Sequence, residues 1–369
     1  MRHLVTLLVC ALIGCAGTPH TATVPAPNRT EPAMRVALHA GWNDIPGPPG
    51  SGCASDSTYK LIVRPGAPDR VLLFLNGGGA CWRAAECDPR GRVTYTTRAD
   101  SANDPRSAGG IFALDNPANP LREYTMVFVP YCTGDVHLGA RTVAYQTAVR
   151  PGGDTVPRSF LIRHQGTANA AWAVAWVQAN TPAPRVIVVA GSSAGAVASP
   201  VYAEQFARRF PAARVVQLGD AAGGYHTPAT PGLMAGWGAT DALRRDPVYQ
   251  GLDSAAFTFE ALYAAASRAA PRVTFAQYNA VDDAVQRYFL ALLGIRDASL
   301  RDYLAVGLRE IRASNPAFRS YTAPGQVHTI LRSNALYSTS VDGVAFRDWF
   351  AALVDGRPVQ DVGSSLLRQ

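Results

Sequence analysis

The chain has 369 residues, of which 48% are hydrophobic and 17% charged, so bulk disorder is excluded and one large domain or two small ones can form a core. The formal net charge is +7, but the arginines are scattered, in short pairs such as Arg208-Arg209, with no basic stripe interleaved with aromatic residues. We therefore expect no nucleic-acid partner, and only a weak electrostatic preference for acidic substrates or anionic surfaces.

The N-terminal segment has the pattern of an export signal. A positive start at residues 1–3 precedes an apolar run, 4–14, that is too short to span a bilayer. The run leads into Cys15 through Leu-Ile-Gly, which resembles a bacterial lipobox, so we predict that residues 1–14 are removed and that Cys15 is lipidated. The alternative is an ordinary secretory peptide cut after Ala16. Both interpretations export the protein.

The rest of the chain is predicted to be a tether followed by one domain. Residues 15–33 comprise the lipidated cysteine and a stretch rich in Thr, Pro and Ala with almost no periodicity. Residues 34–369 show no internal repeat or linker, so we expect a single catalytic domain there. The lipid on Cys15 would hold it in the bacterial cell envelope, on the periplasmic or outer-membrane side, as its only contact with a membrane.

Four cysteines remain for disulfides once Cys10 is removed with the signal and Cys15 takes the lipid, and an even set favours two disulfides. Three connectivities are possible; we favour the short Cys81–Cys87 loop, which leaves Cys53–Cys132. No CxxC or Cys/His spacing indicates a metal site, and we expect none.

Short apolar runs that end at turns recur along the domain. They lie at residues 71–75, 124–129, 186–190 and 215–218, with helical stretches at 167–179 and 194–209. Continuous apolar strands that alternate with helices predict a doubly wound, mostly parallel sheet flanked by helices, of the α/β-hydrolase type. Residues 228–270 are interpreted as a helical insertion or lid.

Ser193 lies in a GxSxG frame between a predicted strand and a predicted helix. A nucleophile elbow at this position needs small residues two before and two after the serine, and these are Gly191 and Gly195. Ser192 has the wrong position in the frame. The helix that begins at Ala194 would direct its first amides towards the developing negative charge, whereas the alternative is a plain glycine-rich turn.

A second glycine-rich turn follows the strand at 71–75. Its sequence, Asn-Gly-Gly-Gly-Ala over residues 76–80, fits the second half of an oxyanion hole, with the Ala194 amide as the first half. Glycines there let backbone amides approach a substrate without a Cβ in the way. A tight turn that merely needs positive φ is the alternative.

The general base is predicted from chain order. In this fold the order is Ser, Asp, His, and His328 alone follows the last plausible acid. The acid itself has three candidates: Asp220 after the strand next to the elbow, and Asp282 or Asp283 after the following strand. Asp220 could instead be a structural carboxylate that organises the turn beneath the site. His137, with Asp135, could line the site or form a satisfied structural pair.

Several blocks together resemble the pectin acetylesterase and Notum family of carboxylesterases. The similarity extends from Cys53 to Phe350. The blocks are CASDSTYK from Cys53, FLNGGGACW from Phe74, YCTGDVHLG from Tyr131, GSSAGA from Gly191, GDAAGG from Gly219, DAVQ from Asp283 and the histidine block at His328.

The resemblance implies a triad of Ser193, Asp283 and His328, with oxyanion donors Gly78, Gly79 and Ala194. Only the glutamine three residues on, Gln286, selects Asp283 over Asp282. Two departures concern the substrate pocket, for which we name Asn76, Trp82 and His137. Asn76 stands where animal and plant members usually carry glutamate, and Ala80 where they often carry tryptophan, with Trp82 slightly displaced.

The mechanism expected from these residues is hydrolysis of an ester through an acyl-enzyme on Ser193, without a cofactor. The resemblance implies acetyl esters on an extracellular poly- or oligosaccharide as the substrate. Two other functions stay open. One is a lipase-like or depalmitoleoylating enzyme on the same fold, and the other is a surface lipoprotein that binds glycans without turnover.

Overall fold

The computed structural model describes residues 35–148, 157–296 and 299–368. Residues 34–369 form one compact unit by their internal contacts. The predicted signal peptide, the lipidated Cys15 and the tether lie outside the described residues. No helix in the described part of the chain combines the length and the apolar character needed to cross a bilayer.

The strands are short, as is usual in globular proteins. In chain order they are β1 (Asn43–Pro46), β2 (Lys60–Arg64), β3 (Ala67–Leu75), β4 (Tyr124–Val129), β5 (Arg141–Gln146), β6 (Ser159–His164), β7 (Val186–Ser192), β8 (Arg214–Asp220), β9 (Thr274–Ala280), β10 (Arg319–Ala323), β11 (Ser340–Val341) and β12 (Val344–Ala345).

Eight of these strands form the central sheet, in the order β1-β2-β4-β3-β7-β8-β9-β10. From β4 to β10 every neighbouring pair is parallel, whereas β1–β2 and β2–β4 are antiparallel. The strands β5 and β6 form a separate antiparallel hairpin. The carboxyl ends of β3, β7, β8 and β9 therefore meet at one edge of the sheet, where open α/β sheets bind their ligands.

Helices cover the sheet. They are α1 (Ala84–Cys87), α2 (Gly166–Asn180), α3 (Ala194–Arg209), α4 (Thr230–Gly236), α5 (Ala239–Leu243), α6 (Phe259–Ala269), α7 (Ala284–Leu292), α8 (Leu300–Ser314), α9 (Ala335–Ser338) and α10 (Phe346–Asp355).

Two apolar cores lie on opposite faces of the sheet because alternate residues of each strand point to opposite faces. In β3, Leu73 belongs to one core, while Leu72 and Phe74 belong to the other. Helices α2, α3 and α6 pack on the first face, and α10 packs on the second with Trp349. Burial on both faces explains why the central strands are continuously apolar.

The predicted fold class is confirmed: the sheet is mostly parallel and flanked by helices. The run predicted at 124–129 is β4, and the helix predicted at 194–209 is α3. The region 228–270, interpreted as a helical insertion, contains α4, α5 and α6. The antiparallel strands β1 and β2 and the β5–β6 hairpin were not predicted.

Both disulfides are present, Cys53–Cys132 and Cys81–Cys87, in the favoured pairing. The first joins the segment before β2 to the turn after β4. The second closes a short loop that begins directly after the glycine-rich turn, at Cys81.

Candidate active site

The elbow at Ser193 is a strained turn between β7 and α3. Ser193 has φ 53° and ψ −118°, a conformation that non-glycine residues rarely adopt. A Cβ on Gly191 would lie 2.3 Å from the backbone of Gly195, and one on Gly195 would lie 2.0 Å from the carbonyl oxygen of Leu75. The two glycines are therefore required by the close approach of three backbone segments, which leaves Ser193 at the tip of the turn.

Asp220, at the end of β8, organises the site from beneath. Its carboxylate accepts hydrogen bonds from Ser192 Oγ at 2.8 Å and from the amides of Ile330 and Leu331 at 3.1 and 3.0 Å. The side chain is fully buried, and this burial raises the pKa of Asp220 to about 6. Its backbone carbonyl accepts from the Ser193 amide. Asp220 thus connects the elbow to the loop that carries His328, and it does not contact the histidine by a hydrogen bond.

The acid beside the histidine is Asp283. His328 Nδ1 lies 2.6 Å from Asp283 Oδ2, while Asp283 Oδ1 accepts from the amides of Val285 and Gln286, both at 2.9 Å, and caps α7. One carboxylate oxygen is thereby fixed by the helix and the other holds the imidazole. Asp282 points elsewhere and pairs with Arg301 at 3.0 Å.

The second ring nitrogen of His328 is available for chemistry. A bond from Nδ1 to a carboxylate requires a proton on Nδ1, so the neutral ring carries a lone pair on Nε2. That atom is buried, and no described residue, Ser193 included, forms a hydrogen bond with it. Catalytic hydrogen bonds are often long in unliganded enzymes, so the Ser193–His328 contact stays a prediction.

The glycine-rich turn after β3 adopts a conformation that depends on its glycines. Gly78 and Gly79 have φ of 153° and 76°, and a Cβ on Gly79 would lie 2.0 Å from the carbonyl oxygen of Thr94. The amide of Thr96 donates to the Gly78 carbonyl at 2.8 Å, which ties the turn to the next segment. Ala194 is the first residue of α3, so its amide has no acceptor within the helix. That the amides of Gly78, Gly79 and Ala194 hold an oxyanion stays a prediction.

Asn76 and His137 do not line the cavity that opens beside Ser193, so the substrate-pocket role predicted for these two residues is wrong. Asn76 is 2% exposed, and its side chain bonds to Asn103 and Arg332. His137 is also buried, with Nε2 2.8 Å from the Asn76 carbonyl oxygen, and this burial lowers the pKa of the histidine. Because each is engaged behind the glycine-rich turn, they support that turn instead of meeting a substrate.

A cavity of about 50 Å³ opens beside Ser193, and its walls are mostly apolar. Gly79, Ala194 and the predicted Trp82 line it. No sequence pattern pointed to the walls that come from the loop after β8 and from distant helices. Those walls include Tyr225, Leu233, Trp237, Phe259, Phe289 and Leu293.

Potential metal ligands converge at one place among the described residues, where Cys81, Cys87 and His164 lie together. The two sulfurs are bonded to each other, and the two ring nitrogens of His164 contact the Thr133 carbonyl oxygen and the Tyr145 hydroxyl at 2.9 Å. All candidate donor atoms are therefore already engaged within the protein.

Comparison with known proteins relates the first half of the domain to a family. Residues 58–231 match the family described as pectinacetylesterase. Two proteins described as palmitoleoyl-protein carboxylesterase NOTUM are similar over 92 residues: that of Schmidtea mediterranea is 29% identical, over 24% of this chain and 18% of that protein, and that of Mus musculus is 38% identical, over 23% and 17%. The aligned segment thus spans less than a fifth of each relative.

The matched range contains the glycine-rich turn and Ser193, whereas Asp283 and His328 lie beyond it. The resemblance expected from the sequence blocks is confirmed: the chain is similar to the pectinacetylesterase family over residues 58–231 and to the NOTUM carboxylesterases over 92 residues.

Proposed function

We propose that the protein is a serine carboxylesterase that hydrolyses acyl esters through an acyl-enzyme on Ser193. One observation carries the proposal: His328 lies 2.6 Å from the fully buried Asp283 and keeps a buried Nε2 with no hydrogen-bond partner among the described residues. Its loop is joined through Asp220 to the strained serine elbow. The relation to two groups of carboxylesterases supports the same reaction class.

In the proposed mechanism, His328 Nε2 accepts the Ser193 proton as Oγ attacks the ester carbonyl carbon. The amides of Gly78, Gly79 and Ala194 stabilise the oxyanion, and each such donor is typically worth about 3–4 kcal/mol. His328 then protonates the leaving alcohol and afterwards deprotonates the water that releases the acid. Asp283 holds the imidazole in the required tautomer and stabilises its cation.

We propose a short acyl group, such as acetyl, as the acid part of the substrate. The cavity of about 50 Å³ has room for only a few heavy atoms, since one water needs about 10–15 Å³. A long-chain deacylase is the second candidate, because the walls are apolar and the two relatives are named for a palmitoleoyl substrate. A carbohydrate alcohol is supported only by the name of the matched family.

The test compares p-nitrophenyl acetate with p-nitrophenyl octanoate, using the wild type and Ser193→Ala. We expect hydrolysis that depends on Ser193 and is faster, by kcat/KM, on acetate. A preference for octanoate would transfer the proposal to the long-chain deacylase. If neither the wild type nor Ser193→Ala hydrolysed either ester, glycan binding without turnover would remain as the function.

We further propose that the protein is exported and held in the bacterial envelope by a lipid on Cys15. The support is the positive start, the short apolar run and the cysteine that ends it. In Cys15→Ser we expect the protein to move from the membrane fraction to the soluble fraction, or to keep its signal peptide. Unchanged membrane association of a processed Cys15→Ser protein would contradict the anchor.

A further inference from the structure

A second cavity adjoins the catalytic one and shares a wall with it. The shared residues are Trp82, Leu233, Trp237 and Leu293. The second cavity, here called the α4 groove, has a volume of about 320 Å³, against about 50 Å³ for the cavity at Ser193. A substrate whose acyl group fills the small cavity therefore has the α4 groove directly beside it.

The floor of the α4 groove is bare backbone. Gly232 and Gly236 of α4 line it and are exposed, and a Cβ on either would meet no atom within 4 Å. Neither glycine has positive φ, so neither packing nor backbone conformation within the protein requires a glycine there.

The sides of the α4 groove combine aromatic rings with a fixed cation. Trp82 and Tyr145 are half-buried, and the Arg83 guanidinium lies 5.7 Å from the centroid of the Trp82 ring. The guanidinium is held by Glu86 and by the Leu292 carbonyl oxygen at 2.9 Å. Its position is therefore set before a ligand arrives, which lowers the entropic cost of binding.

This composition fits a sugar ring better than an acyl chain. The CH faces of a sugar pack on aromatic rings, and its hydroxyl and ring oxygens accept hydrogen bonds from a guanidinium. An acyl chain could form no hydrogen bond with Arg83. It would also stay partly exposed to water, because Arg83, Gly232 and Gly236 are all exposed. An open surface that combines aromatic rings with a polar group favours ligands that have both apolar and polar faces.

We propose that the α4 groove is the subsite for the alcohol part of the ester, a saccharide, with α4 as its floor and Trp82 and Arg83 as its side. The proposal rests on the function proposed above and deepens it, since it assigns the carbohydrate a place. The acyl group occupies the small cavity at Ser193, and the sugar extends along the exposed face of α4.

The test fills the α4 groove without touching the catalytic residues. The variants are Gly232→Leu and Gly236→Leu, and the matched control is Gly251→Leu, at another exposed glycine without positive φ whose Cβ would meet nothing. The ester substrates are O-acetylated oligosaccharides from xylan and pectin, p-nitrophenyl acetate and p-nitrophenyl octanoate. Circular dichroism and thermal melting check the fold of each variant.

In both groove variants we expect kcat/KM on the acetylated oligosaccharides to fall about tenfold or more, through KM, and that on p-nitrophenyl acetate to change by less than about twofold. The control should change neither. The proposal is overturned if the groove variants match the control on oligosaccharides. It is also overturned if their loss is confined to octanoate, which would assign the groove to an acyl chain.

A binding measurement separates this proposal from the esterase assignment. Ser193→Ala is titrated by calorimetry with the same oligosaccharides after deacetylation, and so are its double variants with Gly232→Leu and Gly236→Leu. We expect binding that is lost in both double variants, even if the wild type proves inactive on every ester. Absence of binding to Ser193→Ala, or equal binding by all three proteins, would refute the subsite.

Discussion

The ends of β8 and β9 each carry a buried aspartate, and the two behave differently. Asp220 uses its carboxylate oxygens to hold Ser192 and the amides of Ile330 and Leu331, whereas Asp283 keeps one oxygen for His328. Both are fully buried, so burial alone does not distinguish an acid that positions a loop from one that positions a base. The two roles differ in the atoms that each carboxylate contacts: backbone amides for Asp220 and an imidazole ring for Asp283.

The largest expected effect is at Asp283. Asn at this position can still accept the helix amides, but it cannot hold a protonated Nδ1 as a carboxylate does. We expect Asp283→Asn to lower kcat on p-nitrophenyl acetate by about 10³–10⁴-fold. Steady-state kinetics measures this, with a thermal melt to show that the fold is retained. A loss smaller than about tenfold would remove the proposed distinction between the two aspartates.

Asp220 should affect stability with a characteristic pH dependence. Burial raises its pKa from the usual 3.8 to about 6, so between those values the folded state binds the proton more tightly than the unfolded chain. Stability from this group is therefore complete below about pH 4 and is lost as the pH rises through 6, by about 3 kcal/mol.

Urea unfolding of wild type and Asp220→Asn across this pH range checks the prediction. The stability advantage of the wild type over the variant should shrink as the pH rises. An advantage that grows with pH would mean that the hydrogen bonds from Ile330, Leu331 and Ser192 outweigh burial and keep the carboxylate ionised.

A smaller effect is expected at Ser192. Ser192→Ala removes one buried hydrogen bond to Asp220, which is worth about 1 kcal/mol in the free energy of unfolding. Hydrolysis should change by no more than about threefold, because the adjacent Ser193 is untouched. Unfolding in urea and ester kinetics on the same preparation measure both quantities. Inactivation as complete as in Ser193→Ala would show that the two serines have been assigned in the wrong order.

No measurable effect is expected at Asp282. Asp282 and its partner Arg301 are both partly exposed, and ion pairs that water reaches contribute little to stability. Asp282→Asn therefore serves as the matched control for Asp283→Asn, one residue away, and should retain both the melting temperature and kcat. A loss of activity comparable to that of Asp283→Asn would reopen the choice between the two residues.

The parts of the site that could be predicted from the sequence depend on local patterns. The run before Gly191 must be a buried strand, and the glycines around Ser193 are needed within five residues of one another. The glycine-rich turn at 76–80 is local in the same sense. Cysteine spacing was sufficient to predict the disulfide pairing, because one pair closes a very short loop.

The parts that could not be predicted depend on contacts between distant segments. Asp220 meets amides 110 and 111 residues later. The burial of Asn76 follows from a partner 256 residues away, Arg332. No periodicity in a single sequence carries that information, so the walls of the cavity and the choice between the two possible roles of Asp220 required the structure.

The backbone angles of Ser193 have a consequence for protein engineering. A residue held at φ 53° and ψ −118° costs on the order of 1–3 kcal/mol, and glycine adopts such angles with less strain. Replacement of Ser193 by glycine would thus make the protein harder to unfold while abolishing its proposed chemistry. A directed-evolution campaign that selected only for heat resistance would enrich inactive clones, and each round would need an activity screen as well.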